Sequence, residues 1–236
     1  MTRVFIGVGH GGKDPGAIGN GLRESDVNLV MAVMMKVELE RHGVIVGISR
    51  TGDENDPLTE EIAEAIAFKP DIAVGCHNNA GGGKGFEAYR QTGTYSAASI
   101  KLASYIEKHV IEMGQNSRGV KTKVQANGTD YFGWLRQNPF PSVLCEGAFV
   151  DNAADAAMIN TTAKQQAFGA AYAKGVLEYF NIPWRPVWDE NEAASVIYGV
   201  MKQVIALSDA DKAKEYAAAM NKQESDAYWF IMGKER

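Results

Sequence analysis

The chain has no apolar run near the ~20 residues that a membrane span needs, so no transmembrane segment is expected. Met1-Thr2-Arg3 leads directly into an apolar strand-like run. No charged n-region, apolar h-region and cleavage site precede it, so synthesis in the cytoplasm without a signal peptide is expected. Cysteine is nearly missing. Cys76 and Cys145 are the two thiols, and such a pair reads as buried thiols rather than a disulfide. Positive charge is not in excess, and a net charge of −5 gives no basic face for nucleic acid. Histidine occurs four times, so imidazole chemistry rests on few positions. Internal repeats and low-complexity segments are lacking too.

What remains is enough for a compact enzyme-sized domain: 236 residues with 45% apolar content can bury a large core. Three short apolar runs end in polar residues. Val4-Phe5-Ile6-Gly7-Val8 leads to Gly9-His10, Asp71-Ile72-Ala73-Val74-Gly75-Cys76 to His77, and Ser142-Val143-Leu144-Cys145 to Glu146-Gly147. Their breakers and β-rich composition match buried strands of a parallel sheet. Helical stripes lie between them, with Val27, Val30, Met31, Met34 and Val37 on one face, and Leu102, Ala103, Ile106, Val110 and Met113 on another. The alternation predicts an α/β fold, a twisted, mostly parallel sheet flanked by helices, with its site at the carboxyl ends of the strands.

His10, His77 and Glu146 fall at those ends. Glu24 precedes the first long helix, after a Gly-rich loop, and can return to the same edge. Taken singly, a His after a strand is usually a structural hydrogen-bonding residue, and a Glu before a helix is usually favoured by the helix dipole. Four coincident positions point further. Two imidazoles and a carboxylate make a catalytic zinc site whose open position takes water made more acidic by the ion, and a fourth acid can serve that water. His42 and His109 lie beside Arg41 and Lys108 in polar helical stretches, where a solvated side chain is expected.

Two rivals fail on context. Gly7-Val8-Gly9-His10-Gly11-Gly12 fits the dinucleotide pattern G-x-G-x-x-G, with Arg50 as a 2′-phosphate contact. A nucleotide fold starts its helix inside that loop, whereas Pro15, Gly16, Gly19 and Gly21 delay one until about residue 24. A cysteine nucleophile beside His10 or His77 is the other rival. If His77 and Glu146 face the cleft, strand alternation turns Cys76 and Cys145 to the opposite side.

The sequence resembles the zinc-dependent N-acetylmuramoyl-L-alanine amidases of the type-3 amidase family. The likeness rests on Gly9-His10-Gly11-Gly12-Lys13-Asp14-Pro15-Gly16-Ala17-Ile18-Gly19, on Glu24, on His77-Asn78-Asn79-Ala80 and on Glu146-Gly147-Ala148-Phe149-Val150-Asp151-Asn152. It spans residues 3 to about 180. Cys76 stands where Ser is common, and Ala148-Phe149 replaces a Gly-Phe pair. The resemblance implies a phosphorylase/hydrolase-like fold, His10, Glu24 and His77 as Zn²⁺ ligands, and Glu146 as the catalytic residue. It also implies bacterial peptidoglycan as partner, cut between N-acetylmuramic acid and L-alanine of the stem peptide. The expected setting is that of a phage or prophage endolysin, acting on the wall after holin-mediated release or cell lysis. Asn79 and Arg136 are the candidate substrate contacts; for Arg136 an exposed solubilising role is the alternative. A zinc peptidase cutting within the stem peptide and a non-catalytic wall-binding protein are the alternative functions.

The organisation changes after residue 182. Pro183-Trp184-Arg185-Pro186 reads as a short stiff linker between a catalytic domain, 1–182, and a helical region, 187–236. Ile197, Val200, Met201 and Val204 form one stripe there, Ala213, Tyr216, Ala217 and Met220 another, and Tyr228-Trp229-Phe230-Ile231-Met232 follows. About fifty residues hardly bury that surface alone. Binding the wall, forming a homodimer and packing on the catalytic domain are the three open roles.

Overall fold

The computed structural model describes residues 1–186, and the expected helices of the region 187–236 lie outside the described residues. The chain runs through β1 (Arg3–Val8), a small hairpin of β2 (Ile18–Gly19) and β3 (Leu22–Arg23), α1 (Glu24–Arg41), β4 (Ile45–Ile48) and α2 (Leu58–Phe68). There follow β5 (Ile72–Asn79), β6 (Phe86–Arg90), α3 (Ser96–Glu112), β7 (Ser117–Lys121), α4 (Gly133–Gln137), β8 (Ser142–Phe149), α5 (Ala153–Ile159) and α6 (Thr162–Tyr179). Six strands form one sheet in the order β4-β1-β5-β8-β6-β7. Every neighbouring pair is parallel except β6 with β8. The architecture is therefore the mostly parallel, helix-flanked sheet that the strand and helix pattern predicts.

Alternation along the strands divides the core in two. Val4, Ile6 and Val8 of β1, Val74 and Cys76 of β5, and Val143 and Cys145 of β8 pack with α1, α3 and α6. Phe5, Ala73 and Leu144 point the other way, against Ile62 and Ala65 of α2 and Trp134 and Leu135 of α4. The one-sided stripe expected for α1 is too narrow. Leu29, Ala32, Val33 and Met35 are buried along with Val27, Val30, Met31 and Met34, because α1 packs on the sheet and on α6 together. Each fully buried Val or Met of this helix contributes roughly 1.5–3 kcal/mol. That burial anchors the helix whose first residue is Glu24.

The linker and the two spare histidines depart from expectation. Trp184 stacks on His42 at 4.9 Å, with Arg41 and Lys174 over its ring. The Arg185 N–H donates to His42 Nε2 at 2.9 Å, and Arg41 donates to the Arg185 carbonyl at 2.6 Å. Residues 183–186 are thus docked against the end of α1 rather than held away as a spacer. His42 is covered by this strap, its side chain 1% exposed. His109 bridges Glu112 and Glu178 at 2.7 Å each, so it is not simply solvated either.

Candidate metal centre

Three donors converge where β1, β5 and α1 meet. His10 follows β1, Glu24 opens α1, and His77 lies inside β5, two residues before its end. Glu24 Oε1 is 3.2 Å from His10 Nε2 and 3.2 Å from His77 Nδ1, and the ligand atoms of the three residues lie within 4.8 Å of one another. The imidazoles stand edge to face, centroids 5.1 Å apart and planes at 82°. Two imidazole nitrogens and one carboxylate oxygen so close together make a group that could hold a metal ion, and they are the donor types of three-ligand zinc sites.

Local chemistry fixes each donor. His10 is held at φ 64°, a conformation that costs a non-glycine residue of order 1–3 kcal/mol. The turn behind it is closed by reciprocal backbone bonds between Gly11 and Asp14 at 2.8 and 3.1 Å. Asp14 Oδ2 takes His10 Nδ1 at 2.8 Å, which leaves Nε2 free to face the other donors. Arg50, buried after β4, spends its donors on the carbonyls of Val8, Gly9, Ser25 and Gly52. It pins the loop that carries His10 and offers nothing to a nucleotide phosphate. Gly9 is required by His77, whose ring occupies the place of a side chain at that position. Glu24 Oε2 accepts from the Ala17 N–H at 2.9 Å, and Oε1 accepts from the Asn78 N–H at 3.1 Å.

The charges are strongly coupled. Burial alone would lower the His10 pKa, but Glu24 and Asp14 outweigh it and push it up to about 9. Burial would raise Glu24; hydrogen bonds from His10 and His77 instead hold it well below the usual carboxylate range. His77 is raised as well, its burial outweighed by Glu24 and Glu146.

Glu146 stands on β8 directly beside His77 in the strand register. It is inside the strand, not at its end, because a bulge follows: Asn79 pairs with Phe149, so β8 carries one extra residue between the two positions. Asp155 clamps this bulge, accepting from the Phe149 N–H at 2.9 Å and the Gly85 N–H at 2.6 Å. Glu146 Oε2 is buried with no hydrogen-bond partner. Burial pushes its pKa up to about 7 despite His77, with Glu24 and Glu87 adding repulsion. A carboxyl poised near neutrality beside a metal ligand is suited to accept and return a proton.

The remaining expected positions are placed differently. Asn79 donates to Glu87 Oε2 at 3.2 Å, and Glu87 is held by Arg118 and Lys121 and accepts from the Tyr89 hydroxyl. Asn79 is therefore tied into a charged network on the β6 side of the centre. Arg136 is exposed and donates to the carbonyls of Asp130 and Tyr131 at 2.8 Å, bracing the loop before α4. Cys76 and Cys145 are register partners, both free, fully buried and pushed up in pKa by burial, which removes them as nucleophiles. Sequence reasoning gave no role to Asp14 or Glu61. Asp14 follows no periodic pattern, and Glu61 looks like an ordinary first-turn helix acid. The usable signal was the alternation of Gly7 and Gly9, which opens one face of β1 to neighbouring side chains.

Beside His10 and His77 a cleft of about 370 Å³ opens toward α2 and α4, with Leu58, Phe132, Trp134 and Leu144 among its walls.

A family model described as N-acetylmuramoyl-L-alanine amidase matches residues 4–178. The N-acetylmuramoyl-L-alanine amidase CwlM of Bacillus licheniformis is 32% identical over 230 residues, covering 96% of this chain and 84% of its own length. The endolysin of Bacillus phage SPP1 is 33% identical over 186 residues, covering 76% and 66%. Among solved structures, the catalytic domain of the amidase CwlV from Bacillus (Paenibacillus) polymyxa var. colistinus superposes with a TM-score of 0.69 at 27% identity, covering 78% of this chain and all of that one.

Proposed function

The chain belongs to the type-3 N-acetylmuramoyl-L-alanine amidase family, and from that premise we propose that it hydrolyses the amide between N-acetylmuramic acid and L-alanine of the peptidoglycan stem, using zinc held by His10, Glu24 and His77. The observation that carries the reading is the meeting of those three donors beside an unpartnered Glu146. When bound, zinc would supply a Lewis acid that polarises the scissile carbonyl and acidifies water. Glu146 takes the proton from the attacking water and delivers it to the departing amine, a role matched by its raised pKa. Asp14 keeps His10 in the tautomer that presents Nε2. Glu24, held by two backbone N–H groups and anchored on α1, stays ionised for the metal. No protein nucleophile is needed, and the thiols are turned away. The setting we propose is that of an endolysin-like enzyme, reaching the wall after release from the cell that makes it. No helix among the described residues is long and apolar enough to cross a membrane.

Mass spectrometry of purified cell wall digested by the zinc-loaded protein tests this reading. New amino-terminal alanine on the stem peptide, with intact muramic acid, is the expected product. New amines elsewhere in the stem would instead make it a peptidase, and no cleavage by zinc-loaded protein would leave only a binding role.

A further inference from the structure

Glu61 is a buried carboxylate without a task in the chemistry above. It lies in the first turn of α2, 6% exposed, and lines the cleft beside His10 and His77. Among the described residues its carboxylate has neither a hydrogen bond nor an ion pair, while its backbone N–H donates to the Pro57 carbonyl at 3.1 Å. Its Oε1 sits over Gly7 of β1, in the space a side chain there would fill, and Trp134 covers the rest of that glycine. Two residues on, Gly9 makes the same allowance for the His77 ring. The sequence thus clears one face of β1 twice, for the metal ligand and for Glu61.

The surroundings define what would complete the site. Asp56 also lines the cleft, and its Oδ2 is buried without a partner. Arg50, whose charge acts on Glu61, is committed to four backbone carbonyls. Burial pushes the Glu61 pKa up to about 7; His77, Arg50 and His10 pull it down, while Asp56 adds repulsion. A buried carboxyl with no donor in reach is costly unless something supplies one. Pro57, Leu58, Phe132 and Leu144 furnish apolar walls, which suit a methylene stem carrying a charged head.

Resting on the amidase reading, we propose that Glu61 and Asp56 form a subsite for a primary ammonium carried by the substrate, on the flank of the metal centre opposite Glu146. In the sheet order β1, β5, β8, the Glu61 carboxyl lies over β1 and Glu146 on β8, so the two acids flank His77. Two strand spacings separate those flanks by roughly 10 Å. The ammonium has two sources in a bacterial wall: the side-chain amine of a diamino acid in the stem peptide, and the 2-amine of a muramic acid that has lost its acetyl group.

Two pairs of soluble substrates separate the sources. One is N-acetylmuramoyl-L-alanyl-γ-D-glutamyl-L-lysine against its Nε-acetylated twin, and the other is muramoyl-L-alanyl-γ-D-glutamate against its N-acetylated form. The zinc-loaded protein should favour the free amine in one pair by about tenfold in kcat/KM, as a charge-assisted hydrogen bond predicts. Glu61→Gln should collapse that ratio toward one, and Asp56→Asn should reduce it in part. Asp56→Asn serves alone if the first variant fails to fold. Equilibrium binding of the same pairs, measured in parallel, does not depend on turnover. Tighter binding of the free amine with no cleavage of either twin would sink the amidase reading and keep the subsite. Equal cleavage and equal binding of both twins in both pairs, unaltered by either variant, would overturn the subsite and leave the amidase reading standing.

Discussion

At the level of single residues, the proposed roles separate holding a metal, by His10, Glu24 and His77, from using it, by Glu146. Glu146→Gln keeps shape but removes the proposed base, so zinc content should persist while turnover drops by the ~10²–10⁴-fold typical of acid–base groups. Loss of zinc in that variant would make Glu146 a ligand. Asp14→Asn should weaken zinc binding by about 10–100-fold, read by competition with a chromophoric chelator, because the partner that orients His10 is weakened. The metal-free protein should also be sensitive to pH in a stated direction. His10 titrates at about 9 against an ordinary 6.5, and Glu61 and Glu146 at about 7 against 4.5. Each binds its proton more tightly when folded, so each contributes stability at low pH that is lost as pH rises through its folded value. Glu24 has the opposite sign, but its window lies below its ordinary 4.5. The thermal midpoint of metal-free protein should therefore fall between about pH 6 and pH 9. A midpoint that rises over that range would contradict the charge arrangement. His10, Glu24, His77 and Glu146 were legible in the sequence because each borders a strand or helix signal. Glu61 was not, since a first-turn helix acid looks the same whether its carboxyl faces water or a cleft.

Among the elements, β1 and the loop after it carry the most demanding geometry. The strand pattern predicted the sheet correctly because buried parallel strands need continuous apolar runs, and β1, β5 and β8 have them. The bulge in β8 and the antiparallel placement of β6 were not readable, since both depend on pairing partners rather than on local composition. The burial of α1 on nearly all sides was under-read for the same reason: a stripe count sees the face toward the sheet and misses α6. Arg50 shows how one side chain ties elements together, joining the end of β1, the start of α1 and the loop after β4. Arg50→Met should leave those buried carbonyls short of donors and cost about 2–4 kcal/mol in chemical denaturation. Zinc affinity should fall with it, since His10 sits in the loop that Arg50 restrains. Unchanged stability would mean that the loop is held by its own turn alone.

For the whole molecule, the strap of residues 183–186 decides where the domain ends. Trp184 belongs to it, so a chain stopped after Pro186 should melt as the domain does, whereas one stopped after Ile182 loses the indole stacked on His42. Partial burial of that ring is worth about 1–2 kcal/mol, or a midpoint lower by roughly 2–8 °C. Equal midpoints for the two shortened chains would make the strap ornamental. We propose that the region 187–236 adds a second contact with the wall. The chain stopped after Pro186 should then cleave soluble muropeptides at the parent rate and lose rate on intact wall, where tethering raises local concentration. Equal rates on intact wall would remove that role. The strap also sets a direction. Glu24 begins α1 and His42 caps its other end, and eighteen residues of helix span about 27 Å. The described residues therefore end at the pole opposite the candidate cleft. A resin, a surface or a fused partner attached to a chain stopped after Pro186 would hold the domain with its candidate cleft outward, like a tool gripped by the handle.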